Sequence, residues 1–185
     1  MQYNDDIERV LIDKETILKR VKELGAEITR TYEGKELLVV GVLKGGFIFM
    51  ADLVREIRCK LQLDFISVSS YGNSTESSGI VRIIKDIETN IANKHVLLVE
   101  DLIDTGLTLS HLKQLLYTRK PASIKICTMF DKPSRRKINL EVDFIGLEVP
   151  DYFIVGYGLD YSESYRNLPE VCVLKPEVYR KKCEQ

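Results

Sequence analysis

The sequence predicts an α/β domain: a mostly parallel central sheet with helices on both faces. Three observations carry this. Short, continuously apolar runs, LLVVGVL at residues 37–43 and VLLV at residues 96–99, read as strands buried on both sides. Segments of helical period alternate with these runs, which asks for right-handed crossovers between parallel strands. A chain of 185 residues, 44% hydrophobic and 30% charged, suits one domain with a real core.

In chain order, residues 10–12 read as a short strand. From Asp13 to Tyr32, the residues Ile17, Leu18, Val21, Leu24 and Ile28 recur at helical spacing, with Asp13 as N-cap and Gly34 as the break beyond. After the strand at 37–43, Lys44-Gly45-Gly46 is a turn and residues 47–57 a second helix. Residues 61–69 are a strand. The small, polar run YGNSTESSG (71–79) is a mobile loop tip, and residues 80–87 return from it as the far side of a hairpin. Residues 95–100 are a strand, 107–117 a helix ended by Lys120-Pro121, and 123–130 a strand. A loop at 131–136, short strands at 144–147, 153–157 and 171–174, and a helix opened by Pro176 complete the chain.

Composition excludes several functions. Twenty-seven basic and 28 acidic residues leave a net charge of −1, which argues against bulk nucleic-acid or anionic-membrane binding. The short basic clusters Arg135-Arg136-Lys137 and Arg180-Lys181-Lys182 read as solvated faces. Cys59, Cys127, Cys172 and Cys183 form no CxxC pair and stand apart from His95 and His111, which argues against zinc. Cys127 and Cys172 lie in apolar runs and read as core. With no signal peptide and no long apolar run, a cytoplasmic protein with free thiols is expected. No GxGxxG follows any strand, so a dinucleotide-binding scaffold is excluded.

The chemistry concentrates in VLLVEDLIDTGLTL (96–109). A buried strand runs into two adjacent carboxylates, Glu100 and Asp101. A third, Asp104, precedes the turn Thr105-Gly106-Leu107-Thr108, and helical period then resumes. Turn amides and a helix N-terminus offer unpaired N–H donors to a phosphate. The carboxylates would repel that phosphate unless a metal, sugar hydroxyls or a proton transfer used them. The stretch therefore reads as a site for a phosphorylated sugar with a divalent cation nearby. Plain helix capping by Thr105, Thr108 or Asp104, and a solvated acidic turn at Glu100-Asp101, are the alternatives.

The stretch VEDLIDTGLTL closely resembles the phosphoribosyl-pyrophosphate motif of the type I phosphoribosyltransferases. Four further stretches, VLKGGFIFMADL (42–53), SSYGNST (69–75), FDKPSRR (130–136) and LEVPDYFIVGYGLDYSESYRNLP (147–169), resemble the hypoxanthine (hypoxanthine-guanine) branch of that family. Together the motifs span about residues 37–175. The resemblance implies one phosphoribosyltransferase domain over residues 1–185, with a core at about 35–150 and a small hood built from about 1–12 and 150–185. It implies transfer of ribose 5-phosphate from phosphoribosyl pyrophosphate to a 6-oxopurine, with Mg²⁺ as cofactor and a homodimer or homotetramer as assembly.

By the same resemblance, Thr105, Gly106, Leu107 and Thr108 hold the 5′-phosphate. Many relatives carry Lys or Arg where this chain has Leu107, so one phosphate cation is missing while the amides remain. Glu100 and Asp101 hold ribose hydroxyls, directly or through Mg²⁺, and Asp160 is a further metal ligand. Asp104 is the catalytic base at purine N7. Lys44, Gly45 and Arg166 bind pyrophosphate, with a non-proline cis peptide at the Lys44–Gly45 position. Lys132, Phe153 and Ile154 form the purine pocket. Lys132 can donate to a purine O6 but not usefully to a 6-amino group, itself a donor. From hydrophobicity alone, Phe153 and Ile154 would be core. Ser70 and Tyr71 belong to a lid that excludes water. A transferase for xanthine or adenine, and a regulator binding RNA or DNA, are the competing readings. Lys132 argues against adenine, and the net charge against the regulator.

Overall fold

Helix α1 (Lys14–Thr31) starts where the sequence places it. The Asp13 side chain accepts the Thr16 N–H at 2.7 Å, and the buried face is Ile17, Val21, Leu24, Gly25 and Ile28. Leu18, expected on that face, is 41% exposed, because the helix turns only a narrow stripe inward. The computed structural model describes residues 5–70 and 81–180.

Before α1 lies strand β1 (Ile7–Ile12). The chain continues as β2 (Leu37–Leu43), α2 (Phe47–Glu56), β3 (Leu61–Ser70), β4 (Val81–Lys85) and β5 (His95–Ile103). Then come α3 (Leu107–Tyr117), β6 (Ser123–Asp131), a 3-10 turn at Pro133–Arg135, β7 (Phe144–Glu148), β8 (Ile154–Val155), β9 (Val171–Leu174) and α4 (Pro176–Arg180).

Six strands form the main sheet in the order β4-β3-β2-β5-β6-β7. Every neighbouring pair is parallel except β3–β4, the hairpin read from the sequence. Alternation along each strand splits the core in two. Leu37, Val39, Leu97, Val99, Cys127 and Met129 face α1 and α2. Leu38, Val40, Val96, Leu98, Ile124 and Ile126 face Leu109, Leu112 and Leu116 of α3 on the other side. The expected helices on both faces are therefore present. A second sheet, β1-β9-β8, is antiparallel and joins the N-terminal segment to the C-terminal one around Val155, Cys172 and Leu174.

β1 and β5 run longer than the sequence suggests, β1 starting at Ile7 rather than residue 10. β5 continues past Glu100 to Ile103, because β6 keeps pairing with it through Leu102↔Phe130 and Ile103↔Asp131. Glu100 and Asp101 are thus consecutive strand residues, and their side chains leave the sheet on opposite faces. The non-proline cis peptide lies at Leu43–Lys44, one bond before the expected Lys44–Gly45 position, where β2 ends. No helix among the described residues is long and apolar enough to cross a membrane. Cys59, Cys127 and Cys172 are free, and burial pushes the Cys172 thiol up to about 11. Cys183 lies outside the described residues.

Candidate active site

The carboxyl ends of β2, β5 and β6 and the segment after β7 meet at one edge of the main sheet, as crevices of open parallel sheets do. Two cavities open there, one on each side of the β5 end. The first, about 230 Å³, is lined by Glu100, Leu102, Ile103, Asp104, Thr105, Gly106, Thr108 and Leu109. Gly106 makes it. Its φ of +81° is a left-handed conformation that suits glycine, and a Cβ there would press on Arg136. Being side-chain-free, it also caps nothing, so no side-chain bond caps α3. Thr105 Oγ1 accepts only a long 3.4 Å bond from the Leu107 N–H. The first-turn amides, with the Thr105 and Thr108 hydroxyls, therefore border a hollow with room for a phosphate.

The second cavity, about 410 Å³, is lined by Asp101, Leu102, Asp104, Lys132, Arg135, Asp151, Tyr152, Phe153, Ile154, Leu159 and Asp160. Its lining comes from four separate chain segments. Lys132 is 7% exposed, its N–H donates to Ile103 O at 3.0 Å, and its Nζ donates to the Tyr152 carbonyl at 2.7 Å. Burial holds its pKa below the ordinary lysine value, partly offset by the charges of Asp104 and Asp151. The loop carrying it is stapled to the β5 turn by Arg136, which pairs with Asp131 and donates to the Asp104 carbonyl at 3.3 Å. Ile154 is buried, while Phe153 is 39% exposed at the cavity wall.

Glu100 lines only the smaller cavity and Asp101 only the larger. Desolvation raises both carboxyls above their ordinary values. The neighbouring Asp101 charge raises Glu100 further, while hydrogen bonds and Arg166 act in the opposite direction on Asp101. Two such acids side by side are a place for a cation. Among the described residues, however, no cluster of three His, Cys, Asp or Glu side chains is assembled that could hold a metal unaided. Asp160 shares the larger cavity with Asp101, but strand alternation sends Glu100 to the other side.

The remaining candidates hold one another. Asp104 accepts from Arg135 Nε at 2.7 Å, and Arg135 Nη1 lies 3.5 Å from Asp151. Glu163 Oε2 lies 3.0 Å from Lys44 Nζ and 3.3 Å from Arg166 Nη2, and these two cations hold its pKa down. Asp160 pairs with Arg166 at 2.8 Å and accepts the Glu163 N–H at 2.9 Å. Arg166 also donates to the Gly158 carbonyl, yet its buried Nε has no hydrogen-bond partner among the described residues. Gly45 packs against the Asp101 carboxylate so closely that a Cβ would collide with it. Ser70 is the last residue of β3, and Tyr71 lies outside the described residues.

The sequence assigns no role to Leu102, Arg135, Tyr152 or Glu163, which stand in or beside the site. The spacing of Asp160, Glu163 and Arg166 at three-residue intervals was the available signal for Glu163. Leu102 lies beyond the strand expected at residues 95–100 and carries no signal of its own. Nothing in the sequence marked the Tyr152 carbonyl.

The phosphoribosyl transferase domain family matches residues 11–162. The chain is 59% identical over 174 residues to a hypoxanthine-guanine phosphoribosyltransferase of Bacillus subtilis, covering 94% of this chain and 97% of that one. It is 50% identical to the bifunctional protein TilS/HprT of Listeria monocytogenes over 95% of its own length, but spans only 27% of that protein. The structure superposes on a crystal structure of a Staphylococcus aureus hypoxanthine phosphoribosyltransferase with a TM-score of 0.94, 50% identity and 97% of each chain covered. The chain therefore belongs to the type I phosphoribosyltransferases, on their hypoxanthine-guanine branch.

Proposed function

We propose that the chain is a purine salvage enzyme that transfers the 5-phosphoribosyl unit from phosphoribosyl pyrophosphate to hypoxanthine and guanine. The products are IMP or GMP and pyrophosphate. One observation carries this reading: Asp101, Asp104, Lys132, Phe153 and Asp160 line a single cavity beside the amide-rich hollow of residues 104–109. A sugar phosphate, its leaving group and a flat base thereby have adjacent seats.

In the reaction the bond from ribose C1 to the pyrophosphate oxygen breaks and a bond from C1 to the purine nitrogen forms. Amides at 106–108 with Thr105 and Thr108 anchor the 5′-phosphate. Glu100 and Asp101 hold the ribose hydroxyls. Asp104 takes the proton on purine N7 as positive charge spreads into the base. Lys132 donates to O6, Phe153 stacks on the ring and the Ile154 backbone meets the far edge. Lys44, the Gly45 amide and Arg166 receive the pyrophosphate.

Asp101 and Asp160, oxygen donors that share the larger cavity, suit a hard cation such as Mg²⁺, while Glu100, the third carboxylate the resemblance implies, lines the neighbouring hollow. Bound with the leaving group, Mg²⁺ would neutralise its developing charge. Ser70 and Tyr71 begin a lid, and the small β1-β9-β8 sheet acts as a hood over the purine. A cytoplasmic homodimer or homotetramer is the expected assembly.

The test is pyrophosphate release with hypoxanthine, guanine, xanthine and adenine, with and without Mg²⁺. Turnover of hypoxanthine and guanine that needs the metal is expected. Adenine as the best substrate would overturn the reading.

A further inference from the structure

The far end of the chain reaches the purine wall. Tyr179 of α4 stacks almost flat on Phe153, with ring centroids 4.6 Å apart and planes at 16°. Tyr161 meets the same ring edge to face, at 5.4 Å and 88°. Among the described residues lining the 410 Å³ cavity, Phe153 is present and Tyr179 is not. Tyr179 thus touches the ring of a cavity-lining residue without itself being among the described lining residues.

Tyr179 is itself held firmly for so short a helix. The Leu174 N–H donates to the Phe153 carbonyl at 2.9 Å, which ties the strand before α4 to the residue whose ring Tyr179 covers. β8 and β9 pair through Ile154↔Val173. Lys175 then fastens the start of α4 to the N-terminal segment, its N–H on Asp6 O at 2.9 Å and its Nζ on Asp5 O at 2.7 Å. Tyr179 and Val178 also pack on the cluster of Val155, Tyr165 and Leu174. Backbone and ring of Phe153 are thus fixed by the same segment.

A half-exposed phenylalanine on a loop turns about its side-chain torsions, and a flat ring offers a stacking face only in one orientation. A second ring packed parallel behind it favours that orientation. We propose that Tyr179 is a positioning residue for the purine: it stacks behind Phe153 and holds that ring in the plane the base lies against. The proposal rests on the reading of Phe153 as the purine-stacking wall. It also gives α4 a task in the reaction without any contact to substrate.

The test is steady-state kinetics on Y179A, Y179L and Y179F, with F153L and the F153L/Y179A double variant. From the usual strength of an aromatic pair, Y179A is expected to raise KM for hypoxanthine about 3- to 10-fold. Its kcat and its KM for phosphoribosyl pyrophosphate should stay within about 2-fold of wild type. Y179F should behave as wild type, because the ring and not the hydroxyl does the stacking. Y179L keeps apolar bulk but no flat face, and should fall between them; melting temperatures of all variants guard against local unfolding. Because Tyr179 acts through Phe153, F153L/Y179A should bind hypoxanthine no worse than F153L.

An unchanged hypoxanthine KM in Y179A, with F153L impaired, overturns the proposal and leaves the purine wall standing. A lower KM in Y179A means the ring occupies the base's seat, which also overturns it. Equal losses for both substrates would mark a general structural defect and do the same. If F153L itself has no effect, the reading of the purine wall fails first and the proposal with it.

Discussion

The two sides of the β5 end are built in opposite ways. The phosphate hollow is local: nearly all its walls come from the unbroken run 100–109, and its donors are mainly backbone amides fixed by a strand, a left-handed glycine and a helix start. The purine and pyrophosphate side is distributed. Its groups come from β2, β5, β6 and the chain after β7, and its working side chains are ion-paired to each other: Asp104 to Arg135, Lys44 and Arg166 to Glu163, Asp160 to Arg166. A backbone cradle is ready before the ligand arrives. A side-chain site must exchange internal partners for substrate ones. The donor's phosphate is therefore the fixed point, and the acceptor side does the adjusting.

The sharpest way to break this division is Asp104→Asn, since Asp104 lines both cavities. If it works as the base, kcat falls by about 10²- to 10⁴-fold while affinity for phosphoribosyl pyrophosphate changes little. Pre-steady-state rates with donor titration check this; an unchanged rate removes Asp104 from the chemistry.

The next effect separates the two acids from the fold. Glu100 has an ordinary value of 4.5, and its folded pKa is raised, by desolvation first and by the Asp101 charge second. A raised carboxyl binds more protons folded than unfolded. Stability from this group is therefore lost as pH rises above about 4.5 through the folded value, and stays lost beyond it. Glu100→Gln should melt a few degrees higher than wild type at pH 8 without ligand, with the difference shrinking towards pH 4.5. The same variant should gain less than wild type from added donor and Mg²⁺. A lower melting temperature at pH 8 would show that the acid pair stabilises the empty fold.

Much of the fold was legible because its signals are local. Asp13 caps α1, LLVVGVL is β2, and residues 107–117 are α3, each because apolar period and punctuation agree over a few residues. The phosphate hollow was legible for the same reason. The end of β5 was not: Asp101 to Ile103 is strand only because β6 pairs with it, and sequence spacing does not show a partner strand. The distributed side was invisible to composition. Lys132 is an isolated lysine and Phe153 an ordinary aromatic until the fold joins them, and only the family motifs had connected them. Arg135 read as part of a solvated basic run, and only the fold brings it to Asp104.

That ion pair sets the smallest expected effect. Both partners are more than a third exposed, so solvent screens the attraction. Arg135→Ala should change kcat/KM for hypoxanthine by no more than about 3-fold. A loss of two orders of magnitude would mean that Arg135 stays in the site during turnover rather than yielding to the purine.

The contrast between the two sides comes to its point at Lys132. The hollow at 104–109 recognises the donor, and Lys132 recognises the acceptor through O6. The direct measurement is the ratio of kcat/KM for hypoxanthine to that for adenine, in wild type and in Lys132→Ala, at saturating phosphoribosyl pyrophosphate. The account predicts a strong wild-type preference that falls by about 10- to 100-fold in the variant, the size of a lost charged hydrogen bond, while KM for the donor stays near wild type. An undiminished preference in Lys132→Ala would contradict it.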